Sequence, residues 1–377
     1  MKTTLLFACL LSAGMLRAQT PVFVSGTEGY KSFRIPAIVR TPKGELLAFA
    51  EGRVGGAGDF GDIDLVLKRS TDGGKTWSPL EKVVDYNGLQ AGNPAPVFDE
   101  ADPAYPGGRL FLFYNTGNNH EGEVRKGKGL REVWVMTSTD DGRSWSKPGN
   151  ITSQVHRPKQ GDYTFEEDWR SYANTPGHAL QIPVGKHKGR LFVPANHSAG
   201  DPRPKFTDYR AHGFYTDDHG KSYRLAETIA YDGSNEATAA YLPDGGLLFN
   251  ARNQSGHPKA RIVATSRDGG ATWQSVRVES TLPDAICEGS LLNLRMRKGN
   301  ILAFCNAADT VRRDRLTLRL SRDNGVTWPV KTVVDSGPGD FTAYSDLVEL
   351  DRSRIGVLYE RDGYKQIVFK SIYLKFN

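Results

Sequence analysis

The sequence predicts an all-β fold, a six-bladed β-propeller with four antiparallel strands per blade and an N-terminal strand closing the last blade. Three observations predict it. An eight-residue pattern recurs five times along the 377 residues. Strand-like runs stand before and after each copy. The 41 glycines and 20 prolines suit many short strands joined by turns better than long helices.

The repeated pattern is Ser/Thr-x-Asp-x-Gly-x-Ser/Thr-aromatic. It reads Ser70-Thr-Asp72-Gly-Gly74-Lys-Thr76-Trp77, and it returns at Ser138–Trp145, Thr216–Tyr223, Ser266–Trp273 and Ser321–Trp328. Self-similarity of this kind marks stacked repeats. Each copy is a turn by its chemistry: the Asp carboxylate can accept backbone N–H groups within a tight loop, and Gly supplies a positive φ at no steric cost. The aromatic residue can wedge between neighbouring sheets.

In chain order the first unit has strand-like runs at Arg34–Val39, Leu46–Glu51, Ile63–Arg69 and Leu80–Val84. Further units start near Pro94, Pro176, Glu236 and Glu288. A sixth comprises Ala343–Leu350, Arg354–Tyr359 and Gln366–Leu374; it has no box, and Val22–Val24 from the N-terminus supplies its fourth strand. Segments 115–131 and 154–173 read as insertions. Six four-stranded units make a propeller the natural architecture.

The topology sorts residues onto two rims. In an up-and-down blade, strand 1 starts, strand 2 ends and strand 3 starts on one rim. The boxes, between strands 3 and 4, lie on the other and read as structural. On the first rim stand Arg34, Arg53 at the end of its strand 2, Asp59 in the following loop, Glu236, Arg252, Arg313 and Tyr344. Spacing favours Arg313 over Arg312, and Asp59 over Asp62 and Asp64. Residues about 300 apart in sequence are thus brought to one mouth.

Composition bounds the partners. The net charge of +6 suits an anionic ligand, but no Lys/Arg run with interleaved aromatics suggests nucleic acid. There is no Cys/His cluster with zinc spacing and no glycine-rich phosphate loop, so neither metal nor cofactor is expected. Lys2, the apolar run Leu5–Met15 and the small residue Ala18 read as a secretory signal peptide over residues 1–18, with 19–377 as one catalytic domain. The run is too short to span a bilayer, and lipid anchoring through Cys9 is the rival reading. The expected location is secreted, periplasmic or cell-surface. Cys287 and Cys305 either pair across a hairpin or stay buried as free thiols, the second being favoured.

The chain resembles the bacterial and animal exo-α-sialidases over about residues 22–375. Phe33-Arg34-Ile35-Pro36 matches their Phe/Tyr-Arg-Ile-Pro motif. Glu51-Gly-Arg53 with Asp59 resembles the segment that carries their acid/base Asp. Asn235-Glu236-Ala with Asn250-Ala-Arg252 matches their Glu and second Arg. Arg313-Asp-Arg-Leu316 looks like their third Arg, and Ala343-Tyr344-Ser345-Asp346 matches their nucleophilic Tyr. The five boxes are the family's Asp boxes.

The resemblance implies hydrolysis of terminal sialic acid from glycans, glycoproteins or glycolipids, with retention. Arg34, Arg252 and Arg313 would hold the substrate carboxylate, which suits the planar, permanently charged guanidinium. Tyr344 would be the nucleophile, because a carboxylate would be repelled by the substrate's own charge, and Glu236 would take its proton. Asp59 would be the general acid, and a raised pKa or a mildly acidic optimum is expected of it. Arg53 contacts the 4-hydroxyl in this scheme, or else pairs with Glu51 or Asp64. Asn93 and Asp102 are added as pocket-lining residues, and Trp169 and Tyr172 either pack on the glycan or anchor their loop. A trans-sialidase and a non-catalytic glycan-binding propeller are the rival readings.

Overall fold

The computed structural model describes residues 19–296 and 299–374; the expected signal peptide and Cys9 lie outside them. Strands dominate. Thr20–Val24 comes first, then a first unit of Ser32–Arg40, Leu46–Arg53, Ile63–Ser70 and Glu81–Val84. The second is Gln90–Asp99, Arg109–Gly117, Arg131–Ser138 and Gly149–Asn150; the third is Leu180–Gln181, Leu191–Ser198, Tyr209–Thr216 and Arg224–Leu225. The fourth is Ser234–Tyr241, Leu247–Asn253, Ala260–Ser266 and Gln274–Pro283, and the fifth Gly289–Met296, Gly299–Ala307, Leu316–Ser321 and Val330–Asp335. Thr342–Asp351, Arg354–Arg361 and Gln366–Tyr373 complete the set.

The result is an all-β propeller. The first strand pairs antiparallel with the last, Thr20 opposite Phe369 and Val24 opposite Gln366, so the N-terminal strand closes the final sheet as expected. The sheets differ from expectation in how the first two units join and in where the third begins. Four are separate and four-stranded, whereas the first and second units belong to a single eight-stranded sheet. Each half is antiparallel, and the halves meet at one parallel bridge, Ile63 to Gln90, reinforced by the Ile63 N–H donating to the Leu89 carbonyl at 3.3 Å. The link from Glu81–Val84 to Gln90 is short enough to bring the next strand alongside. The third unit also opens late, at Leu180 rather than Pro176, because residues 174–178 are spent on side-chain and loop contacts near the axis.

The boxes form one kind of turn. Asp72 accepts the Lys75 and Thr76 N–H groups, both at 3.0 Å, and the Thr76 hydroxyl at 2.7 Å; the Ser70 hydroxyl accepts the Gly74 N–H at 2.9 Å. The same pattern recurs around Asp140, Asp218, Asp268 and Asp323. The box aromatics then join units. Trp77 meets Phe369 edge-on at 5.6 Å, Trp145 meets Phe49, Tyr223 meets Phe113 and Trp273 meets Phe192. In each case a box aromatic packs against the preceding unit, and apolar layers such as Phe23, Phe33, Val348 and Phe369 lie between neighbouring sheets. Such burial is the main stabilising term.

Cys287 and Cys305 are buried and unpaired. Among the described residues no helix is long and apolar enough to cross a membrane.

Candidate active site

Four innermost strands are irregular at the same end. The register shifts between Arg34 and Ala37, Gly92 and Ala95, Ser234 and Ala237, and Thr342 and Ser345. A β-bulge bends its strand and re-aims a side chain, and these bulges hold Arg34, Asn93, Glu236 and Tyr344. Ile35 and Asn93 carry positive φ, 59° and 53°. The four side chains turn into one pocket of about 130 Å³, together with Arg53, Asp59, Arg252 and Arg313.

Tyr344 sits at the centre. Its hydroxyl donates to Glu236 Oε1 at 2.5 Å, and Arg252 Nη1 donates to the same hydroxyl at 3.1 Å and to Glu236 Oε2 at 2.5 Å. Burial, followed by the Glu236 charge, pushes the phenol well above its ordinary value, although Arg252 and Arg313 pull the other way. The resting hydroxyl is therefore neutral, with its proton directed at a carboxylate.

The arginines are organised from outside the pocket. Arg34 is buried; its Nε donates to Glu360 at 2.7 Å, and its guanidinium lies 3.9 Å from the Tyr364 ring centroid. Burial opposes the Arg34 charge, but Glu360, Tyr364 and Asp59 outweigh it and hold its pKa above the usual arginine value. Arg313 reaches the Tyr364 hydroxyl at 3.2 Å and the Ile286 carbonyl at 3.1 Å, whereas Arg312 is turned toward Asp314. Arg252 Nε is buried with no protein hydrogen-bond partner.

Asp59 stands on the glycine-rich loop 55–61, and Arg53 holds that loop by donating to the carbonyls of Ala57 and Gly58 and to Asp59 at 2.7 Å. The expectation of a raised Asp59 pKa is corrected here. Burial does push the carboxyl up, but the charges of Arg53 and Arg34 (the latter 3.7 Å away) outweigh it and hold the group below its ordinary value. Arg53 also grips Glu51 at 2.6 Å, the partner foreseen as an alternative to the 4-hydroxyl. Asp64 instead pairs with Tyr30 and Lys82.

Asp102 is not in the pocket. It lies in the turn after the first strand of its unit, on the box rim, where Arg109 binds it at 3.0 Å and its neighbours are Asp99 and His219. The strand parity that assembled the other residues places that turn at the opposite end. The two uncertain aromatics divide. Trp169 stacks on His197 at 3.7 Å and anchors its loop, whereas Tyr172 lines the pocket and donates to Glu121 at 2.7 Å.

Further lining residues were not foreseen: Glu51, Gln90, Glu121, Arg131 and Gln254. Behind the pocket, Glu360 also accepts the N–H groups of Ile35 and Tyr344. Glu360 was within reach of the parity argument, because it ends strand 2 of the last unit as Arg53 and Arg252 end theirs. Arg131 was within the same reach, because it opens strand 3 of its unit; Glu121 had no such signal, since it comes from an insertion.

Comparison with known proteins bears on this rim. Residues 44–357 match the BNR repeat-like domain family. A sialidase of Micromonospora viridifaciens is 32% identical over 364 residues, covering 92% of this chain and 52% of the relative. An exo-alpha-sialidase of Arthroderma benhamiae is 30% identical, covering 95% of this chain and 84% of that protein. The chain thus spans about half the length of the Micromonospora relative and most of the Arthroderma one. Among solved structures, the Hadza microbial sialidase Hz136 superposes with a TM-score of 0.79 at 27% identity, covering 94% of this chain and 68% of that one. The intramolecular trans-sialidase of Ruminococcus gnavus, at 17% identity and TM-score 0.73, shares the fold. With the matched domain, the relatives and the rim in agreement, the chain belongs to the sialidase family of BNR-repeat propellers.

Proposed function

We propose that this protein is an exo-α-sialidase, hydrolysing terminal sialic acid from glycoconjugates with retention of configuration. The observation that carries the reading is the Tyr344–Glu236–Arg252 contact set in one pocket with Arg34 and Arg313. A sugar with a carboxylate on its anomeric carbon would be held by Arg34, Arg252 and Arg313. Glu236 takes the phenolic proton as the Tyr344 oxygen attacks that carbon, and Asp59 gives a proton to the departing glycosidic oxygen. In the second half, Asp59 takes a proton from water, the hydroxide displaces the tyrosine, and Glu236 returns the proton to it.

Asp59 is paired with Arg53 and Arg34. A bound substrate carboxylate neutralises Arg34 and weakens its hold on Asp59, so binding itself raises the Asp59 pKa. The expected optimum is mildly acidic. We take the eight-stranded sheet as two blades joined at one bridge, which gives a six-bladed ring of four-stranded blades. The substrates are sialylated glycans, glycoproteins or glycolipids, reached outside the cytoplasm after removal of the leader. No metal or other cofactor has a part in these steps.

A fluorogenic sialoside assay with wild type and Tyr344→Phe, coupled to NMR of the released sugar, tests the reading. It expects the α-anomer first from wild type and loss of turnover in the variant. Near wild-type turnover in Tyr344→Phe would overturn the nucleophile, and a β-anomer formed first would overturn retention. With lactose added, sialyl-lactose in place of free sialic acid would point to transfer rather than hydrolysis.

A further inference from the structure

A second cavity of about 800 Å³ runs along the propeller axis and includes Val97, Ala239, Leu291 and Leu347 in its walls. His178 lines it as well. Its ring nitrogen Nδ1 lies 2.6 Å from Asp346 Oδ1. Asp346 stands two residues after Tyr344 on the same strand and is fully buried.

Asp346 ties several units together. It accepts the N–H of Ile38 at 2.8 Å, of His178 at 3.0 Å and of Leu347 at 2.9 Å, and the Ser290 hydroxyl at 2.8 Å. The strand Thr342–Asp351 is the inner edge of its sheet, and an edge strand leaves N–H groups without a ladder partner. Here side chains accept them: Glu360 that of Tyr344, Glu288 that of Ser345, Ser290 that of Leu347, and from the same strand Asp346 that of Leu347 as well. The backbone that aims the nucleophile is thus held by buried carboxylates from behind, where an ion pair in low dielectric needs both partners present.

We propose that His178 and Asp346 are positioning residues for Tyr344, a buried ion pair whose proton exchanges through the axial cavity on the side away from the substrate. The proposal rests on the sialidase reading given above. Charged His178 completes the five hydrogen bonds that Asp346 accepts. Loss of the His178 proton leaves a buried negative charge uncompensated and loosens the strand that sets the Tyr344–Glu236 contact. Burial alone would lower the imidazole pKa, but the charge and hydrogen bond of Asp346 raise it above the ordinary value. Burial, then the Asp346 charge, pushes the Glu288 carboxyl well above the usual carboxylate range. The titratable and charged groups around the pair are Glu288, whose carboxyl feels the Asp346 charge, and Arg40, Glu100, Lys188, Tyr241, Arg295 and Glu349 among the residues of the cavity.

The test is the pH dependence of kcat for wild type and His178→Gln, with NMR titration of the histidine rings in wild type. Asp59 alone gives log kcat a single-proton fall on the alkaline side. The expected wild-type fall steepens at higher pH by a second proton, at the midpoint of one imidazole that titrates above the ordinary histidine value. His178→Gln keeps the single-proton fall, loses the steepening and leaves KM close to wild type, because the arginines are untouched. Identical alkaline slopes in the two proteins, or a uniform drop in kcat across pH, would overturn the proposal. Should His178→Gln not fold, the wild type decides: no imidazole whose midpoint coincides with the steepening is equally contrary. A wild type inactive on sialosides contradicts the sialidase reading instead, and the imidazole titration then still decides whether the ion pair exists.

Discussion

The 2.5 Å contact between Tyr344 and Glu236 is useful only because the arginines around it are fixed before substrate arrives. Arg34 is held by Glu360 on one side and stacked against Tyr364 on the other, so little reorganisation remains when a carboxylate binds. Replacing Arg34 with Lys removes the two-pronged donor geometry and leaves Glu360 with a poorly placed partner. The expected result is a loss of kcat/KM of at least about tenfold, the size of one charged hydrogen bond, measured by steady-state kinetics on a sialoside. Glu360→Gln, which keeps the shape but removes the charge, is expected to weaken substrate binding through Arg34 and to raise KM.

The six residues Arg34, Asp59, Glu236, Arg252, Arg313 and Tyr344 were legible because each sits at a predictable strand end or carries a motif. The direction of the Asp59 pKa was not. It depends on Arg53 reaching across the glycine-rich loop, a contact that no spacing along the chain encodes.

A second residue-scale effect concerns three buried histidines packed around the Trp169 ring. His197 and His212 face each other at 3.2 Å, and His156 lies close to Trp169. Burial pushes His156 and His212 down to about 3. A pKa depressed in the folded state stabilises the fold above the unfolded value of about 6.5. That stability is lost as pH falls from there toward the folded value. Thermal melts between neutral pH and pH 4 are expected to show a falling Tm, and His212→Asn is expected to flatten the fall.

At the scale of elements, the box turn is where backbone and packing demands meet. Gly74 has φ +88°, and a Cβ there would lie 2.1 Å from Phe369. Gly74→Ala therefore combines left-handed backbone strain with a clash against the ring that Trp77 also contacts. The expected cost is about 2–5 kcal/mol, from strain of about 1–2 and overpacking of about 1–3, read from denaturant unfolding. Activity per folded molecule should be unchanged, since the boxes are on the rim away from Tyr344. The boxes were legible because their turn chemistry is local. The β-bulges that aim Arg34, Asn93, Glu236 and Tyr344 were not, because a register shift is a relation between two strands. Asp102 shows the cost of setting strand parity aside for a single residue: its turn lies at the opposite end of the sheet.

For the whole molecule, closure and catalysis are linked. Thr20–Val24 completes the sheet that carries Tyr344, and Phe23 packs against Phe33, beside Arg34. Removing residues 19–24 is expected to lower Tm and turnover together, whereas a box mutation lowers Tm alone. The ring was legible from the repeat and the early apolar strand. The fusion of the first two units through Ile63 and Gln90 was not, because one bridge leaves no mark on sequence spacing.

The central claim is that Tyr344 becomes covalently bonded to the sugar during turnover. Rapid acid quench of the wild-type enzyme with excess sialoside, followed by intact-protein and peptide mass spectrometry, tests it directly. The account predicts a mass gain of one sialyl residue, located on the peptide containing Tyr344 and absent from Tyr344→Phe. A label on Glu236 or Asp59, or an unlabelled enzyme under conditions of steady turnover in which breakdown of the intermediate limits the rate, would contradict it.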